Sequence, residues 1–355
     1  MGLVSGLFGE NCPLKNLGGV EQRLTPPENL LRSIDLLLII LISFMKKIID
    51  IAKNIFEIKK RSSNSEKSTA RYIKKELIEK NIPFTTEKFI NHEPLAEICR
   101  LEADGNKLNC KNSGFSSGRI ENKDILISAF SENEGNAANI NFNPYSDAIS
   151  RVSFYSGCAI SVSRKDLLKI LKAKRIKGIT KVKKKKFVRE NILLGNIKDP
   201  LKIVFAHYDS IEEGAVDNIS GLVTLLHLVG ENKKILNDNL FVFSGSEELS
   251  YDDPVYWGKG YRCFEKKHRK LLLKAERVFI IDSVGNGRSV VIKDKKLIFQ
   301  AFPVVSLGKI IDKTAVISGD IEELMKYYHS SADDLFRLKE KHLVQAERIL
   351  IDLLK

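Results

Sequence analysis

Three apolar runs of this sequence end in side chains that bind metal ions or move protons. KIVFAHYDS carries His207 and Asp209, LFVFSGSEE carries Glu247 and Glu248, and VFIIDS carries Asp282. Between the first two lies GAVDNISG, with Asp217 in a glycine-rich turn; Tyr328-His329-Ser330-Ser331 adds a second histidine ahead of a helix. Imidazole nitrogen and carboxylate oxygen both suit zinc. Two histidines and three carboxylates are too few for two separate sites, yet sufficient if one carboxylate is shared. Two cations about 3.5–4 Å apart clamp a reacting group, polarising a carbonyl and lowering the pKa of a water. A carboxylate outside the ligand set must then take the water's proton and pass it to the leaving amine. The spare one is the first of the adjacent pair, Glu247. Neighbours leaving a strand point in different directions, so one glutamate binds metal while the other faces substrate.

These side chains need elements that bring them to one place. Residues 203–206, 240–244 and 278–281 are short, continuous apolar runs, the pattern of strands buried on both faces. Helical segments, notably 220–228 and 264–274, lie between them. Such alternation predicts a largely parallel sheet covered by helices, with ligands gathered beyond the carboxyl ends of its strands. Upstream, Ile48, Ile49, Ala52, Ile55 and Phe56 recur at helical spacing. A second helix opens near Ser63, whose spacing to Glu66 is that of a capping box. It carries Ala70, Ile73 and Leu77 and closes at Asn81 and Pro83, before a short strand over 84–90. Residues 96–187 read differently. Short β-like runs (124–129, 151–155, 159–162) alternate with Gly, Asn and Ser clusters, and one helix, 164–174, follows Ser163 as its N-cap. A helix over 341–355 presents Leu343, Ala346, Ile349, Leu350 and Leu353 on one side.

Taken in order, AHYDS, GAVDNISG, FVFSGSEE, IIDSVG and YHSSADD resemble the co-catalytic zinc exopeptidases, a family that includes aminopeptidase Y, secreted bacterial aminopeptidases and glutamate carboxypeptidase, with the glutaminyl cyclases more distant. The resemblance spans 46–355. It implies an α/β three-layer sandwich with a mostly parallel mixed central sheet of the zinc-peptidase (phosphorylase/hydrolase-like) type, plus a small β-rich insert. The catalytic domain would be 46–95 and 188–355. The insert, 96–187, would stand in the place of a protease-associated domain, with AISVSRKDLLKIL its most family-like part. The resemblance further implies that Asp217 bridges two divalent ions. His207 and Asp282 would complete one site, and Glu248 and His329 the other. Glu247 would be the general base and Asp209 the carboxylate that orients His207. Tyr328 resembles a tyrosine that steadies the oxyanion in some members, and a cis peptide is implied at Asp217–Asn218. The expected ions are Zn2+, though Co2+ or Mn2+ suits similar ligands.

Single motifs have bland readings: an aspartate before a helix is most often a cap, and adjacent glutamates usually lie on a solvated surface. Five motifs in one order, three of them on strand ends, outweigh those readings. His92, His227, His268 and His342 lack any partner pattern and read as packing or surface. Where relatives carry Gly-Leu and Gly-Ser after the glutamate pair, this chain has LSYDDPVYWGKGYRCF. The expected function is therefore a metal-dependent exopeptidase acting on peptides, most simply an aminopeptidase. Alternatives on the same scaffold are a carboxypeptidase or dipeptidase, with Arg262 and Lys259 as anchors for a terminal carboxylate, a glutaminyl-cyclase-like acyltransferase, and an inactive binding module.

Composition limits the rest. The chain has 355 residues, 43% hydrophobic and 29% charged, which excludes disorder for most of it. The net charge of +13 sits in lysine runs such as 183–186, a solvated surface rather than a specific nucleic-acid site. Five cysteines without a CxxC spacing suggest neither a zinc ribbon nor a redox pair. The apolar run 36–45 is far short of the ~20 residues that cross a bilayer, and no cleavage site follows it. No membrane partner and a cytoplasmic location are the expectations. Residues 1–45 are read as an N-terminal extension, with Met45 a candidate natural start.

Overall fold

A computed structural model describes residues 47–61, 64–121, 126–130 and 137–355; the expectations for residues 1–45 lie outside that set. Helix α1 (Ile48–Arg61) buries Ile48, Ala52, Ile55 and Phe56 of the predicted stripe, while Ile49 is half-buried and Ile51 is buried with the others. Helix α2 (Ser65–Glu79) starts at Asn64, whose side chain accepts from the Lys67 amide. Ser63, the expected cap, is outside the described residues. Strand β1 (Phe84–Ala103) is far longer than the short strand predicted over 84–90. It pairs antiparallel along its whole length with β8 (Ile176–Gly195). The expected insert boundaries, 95/96 and 187/188, fall inside this two-stranded ribbon, whose one register irregularity lies between Ala96 and Ile98. The lysines at 183–186 are exposed along it.

Among the described residues the main sheet has nine strands. Its order is β12 (Val290–Ile292), β13 (Thr314–Ser318), β11 (Arg277–Ile281), β9 (Lys202–His207), β10 (Asn239–Ser244), β8, β1 and β2 (Asn106–Leu108), with β4 (Gly118–Ile120) also on β8. β13, β11, β9 and β10 are parallel, and their neighbours β12 and β8 run against them. Alternate residues of the central strands face opposite layers. Val204, Ala206, Phe241, Phe243, Phe279 and Ile281 pack under α1, α2, a helix over Gly221–Glu231 and the C-terminal helix Glu340–Leu354. Ile203, Phe205, Leu240, Val242, Val278 and Ile280 pack under the helix Lys259–Lys274 and the segment 295–310. At about 1.5–3 kcal/mol for each buried aliphatic or aromatic side chain, these two cores hold the three layers together.

A second sheet of four strands, β3 (Cys110–Asn112), β7 (Ala159–Val162), β6 (Asn139–Phe142) and β5 (Leu126–Ser128), has its own core around Leu101, Ile120, Ile140, Ile160 and Ile170. Two local expectations fail there. Residues 151–155 form no strand: only Tyr155 bridges, to Gly114, and the backbone before it pairs with Ser330 instead. The predicted helix over 164–174 is a 3-10 turn, Arg164–Asp166, followed by the short helix Leu167–Lys172. Ser163 does not cap it, because its hydroxyl donates to the Asp166 carboxylate at 2.8 Å. Among the described residues no helix is long and apolar enough to cross a membrane.

Candidate metal centre

β9, β10 and β11 lie side by side, with Ser244 in register with His207, so the loops that follow them open at one rim. His207 is the last residue of β9, Asp282 follows β11 directly, and Glu247 and Glu248 come just after β10. Asp217 sits in the irregular turn Ala215–Ser220, where its backbone (φ −113°, ψ 91°) is not helical. Gly214 makes that turn possible. It has φ +59°, and an added Cβ would lie 2.5 Å from the Asp217 carbonyl oxygen. The Asp217–Asn218 peptide is cis, as the resemblance implies. Asn218 ties the turn to the end of β11, accepting from the Gly221 and Ser283 amides and donating to the Ile281 carbonyl. Three non-glycine residues at or beside predicted ligands have positive φ: Ser246 (50°), Ser283 (54°) and His329 (52°). Each such residue costs about 1–3 kcal/mol, and such strain gathers where side chains must be aimed.

The predicted site residues converge, and Asp217 is at their centre. Its Oδ1 lies 3.3 Å from His207 Nε2, and its Oδ2 lies 3.2 Å from His329 Nε2. Beyond His207, Asp282 Oδ1 is 3.7 Å from Nε2; beyond His329, Glu248 Oε2 is 3.0 Å from Nε2. Asp209 lies behind His207, with Oδ1 3.5 Å from Nδ1. Its two oxygens also accept from the Glu247 and Glu248 amides, at 3.0 and 2.9 Å. One carboxylate therefore stands behind the histidine and holds the backbone of both glutamates. Tyr328 stacks on His329 with ring centroids 3.7 Å apart.

Electrostatics and geometry both fit a cation site. Burial opposes charge on His329, yet Glu248 and Asp217 push it up to about 10. Burial likewise opposes the His207 imidazolium, and Asp209, Asp217 and Asp282 outweigh it. For Asp217, burial is overcome by the two histidines, which hold the carboxyl well below its usual range. Burial pushes Glu247 well up, with Glu248 and Asp209 adding to the effect against His207. His329 Nε2 is buried without a hydrogen bond although two carboxylates lie close by. A donor atom of each of His207, Asp217 and Glu248 falls within 4.8 Å of the others. A buried nest of imidazole nitrogens and carboxylate oxygens, off-axis to one another, is the donor set zinc takes.

Two supporting residues escape a sequence reading. Asp333, 1% exposed, accepts from the amides of Val216 (2.8 Å) and Asp217 (3.1 Å), which fixes the turn from below. Burial pushes its carboxyl up to about 7, with Asp217 adding to the shift. The ADD end of YHSSADD was the only available signal. Asp333→Ala leaves two buried N–H donors unpaired, at about 1–3 kcal/mol each. Urea unfolding of the metal-free protein is expected to show a loss of about 2–6 kcal/mol, the sum for the two donors. Lys59, on α1, donates to the Ser210 hydroxyl and faces Asp209, Glu248 and Asp333; burial pulls its pKa down against the pull of those acids. A lysine on an amphipathic helix reads as surface, so nothing in the sequence marks it.

A cavity of about 350 Å³ opens over these groups. His207, Asp217, Glu247, Glu248, Asp282 and His329 form its floor, with Tyr256, Trp257, Met325 and Tyr328 around them and Ala129, Phe130, Val152 and Ser153 on one wall. No lysine or arginine is among the described residues that line it. Lys259 and Arg262 are spent elsewhere. Both pair with Asp252 at 2.9 Å, and the guanidinium also donates to the carbonyls of Val255, Trp257 and Pro303. His227 and His268 pair with Glu347 (2.9 Å) and Glu87 (2.8 Å), away from the cavity.

No protein-family model matches the sequence, nor does any curated protein. Solved structures do match by shape. A zinc aminopeptidase from Bacillus subtilis aligns with a TM-score of 0.60 at 15% identity, over 86% of this chain and 94% of its own. A peptidase M28 precursor from Shewanella amazonensis gives 0.58 at 13% identity, over 86% and 96%. An aminopeptidase from Aneurinibacillus sp. strain AM-1 gives 0.54 at 14% identity, over 84% and 91%. The chain shares their fold: a mixed sheet between two helical layers.

Proposed function

We propose that this chain is a metal-dependent exopeptidase, an aminopeptidase, that hydrolyses peptide bonds with two zinc ions held through Asp217. One observation carries the reading: the two oxygens of Asp217 face different imidazoles, each with a further carboxylate beyond it. The names of the proteins that share the fold agree with it. His207 and Asp282 would hold one ion, and His329 and Glu248 the other. A pair of cations so held supplies a polarised carbonyl and an acidified water.

The remaining work falls to the protein. Glu247, which lines the cavity and whose carboxyl burial pushes up, takes a proton from water and delivers it to the leaving nitrogen. Asp209 keeps His207 and the glutamate pair in place. Burial keeps the Tyr328 phenol protonated, so it can donate to negative charge developing on the carbonyl oxygen. No lysine or arginine is among the described residues that line the cavity, which favours a substrate presenting a free α-ammonium over one presenting a terminal carboxylate. A carboxypeptidase needs a cation for the terminal carboxylate, and Arg262 and Lys259 are engaged with Asp252. The zinc-loaded protein is therefore expected to cleave a free-amine chromogenic amide and leave an N-acylated dipeptide intact. Cleavage of the acylated compound alone would refute the aminopeptidase assignment.

A further inference from the structure

The backbone of 143–151 reaches out of the expected insert and grips the loop that carries His329. The Arg151 amide donates to the His329 carbonyl at 3.0 Å, and His329 Nδ1 lies 3.1 Å from the Arg151 carbonyl. Ser150, fully buried, donates its hydroxyl to the Tyr328 carbonyl and bridges to Ser330. Asn143, also buried, donates to the Met325 carbonyl at 2.8 Å and to Ser150 Oγ at 3.2 Å. The Arg151 guanidinium then pairs at 2.6 Å with Glu212, in the loop that follows Asp209.

We infer that this segment is a positioning element of the metal centre: the Arg151 carbonyl selects the His329 tautomer, and Ser150 and Asn143 hold the loop that presents it. The proposal rests on the metal reading above. A carbonyl can only accept, so it requires the proton on Nδ1 and leaves the Nε2 lone pair for the ion. His329 has φ +52°, a conformation that persists only where surroundings over-determine it. The three hydrogen bonds from Ser150, Arg151 and Asn143 supply that constraint. Arg151 also links the His329 loop to the loop after His207, so both ends of the centre are set by one segment.

The test compares the wild-type protein with Ser150→Ala and Asn143→Ala, measuring zinc affinity by calorimetry and the His329 ring by 15N–1H NMR in the zinc-loaded protein. The expected results are an Nδ1–H signal, slow to exchange, in the wild type, and a loss of roughly 10–100-fold in zinc affinity in the variants. A merely structural role would lower the melting temperature and leave both readouts unchanged, which overturns the proposal. A wild-type spectrum with the proton on Nε2 overturns it even if neither variant folds. A wild type that takes up no zinc refutes the metal reading itself, and this proposal with it. Zinc uptake by the wild type with unchanged variants refutes the proposal alone.

Discussion

Glu247→Gln is expected to retain its zinc and to lose about a hundred- to ten-thousand-fold in kcat, the usual contribution of a positioned general base. That corresponds to roughly 3–5 kcal/mol of transition-state free energy. Glutamine keeps the shape and removes the proton acceptor, so KM should change little. The reason metal is retained is geometric. Glu247 lines the cavity, whereas Glu248 is the glutamate in contact with His329, and its other oxygen accepts from the Ile211 amide. Steady-state kinetics with metal analysis of the same preparation checks both halves. Loss of zinc in Glu247→Gln would reverse the roles of the two glutamates.

Asp217→Asn should have the opposite signature: metal uptake fails and activity goes with it. An amide offers one oxygen where the carboxylate offers two, and each carboxylate oxygen faces a different histidine. The loss should exceed the roughly 10–100-fold that follows when an outer-shell partner is removed. The histidines sharpen this expectation. In the metal-free protein the acids push His329 up to about 10, so zinc must displace a proton at neutral pH. Affinity in the wild type therefore falls as pH falls, and calorimetry in buffers of different ionisation enthalpy counts the protons released.

The convergence of these side chains was legible in the sequence because strands buried on both faces announce themselves by unbroken apolar runs: His207 ends one run, Asp282 follows another, and Glu247 and Glu248 stand just after the third. Asp217 and His329 lie on turns, and the order of the motifs was needed to place them. The ribbon of β1 and β8 was legible only in part. Much of it is exposed, with lysines, threonines and a proline breaking the alternation, and its length is set by pairing between distant segments. The grip of Ser150 and Arg151 on the His329 loop had no signature at all. It is made largely by backbone groups and spans about 178 residues of chain, so the apolar content of 151–155 suggested a strand that does not form. Asp333 and Lys59 were hidden for a related reason: each acts on a neighbour's backbone or hydroxyl, which no spacing rule records.

Zinc content is the most direct measure of whether carboxylates and imidazoles from separate loops share two ions through Asp217. The wild-type chain, saturated with zinc, cleared of free metal and analysed by mass spectrometry, should hold two zinc ions per chain, and Asp217→Asn should lose both together. One ion or none in the wild type, or a full complement in Asp217→Asn, would contradict a centre bridged by that aspartate.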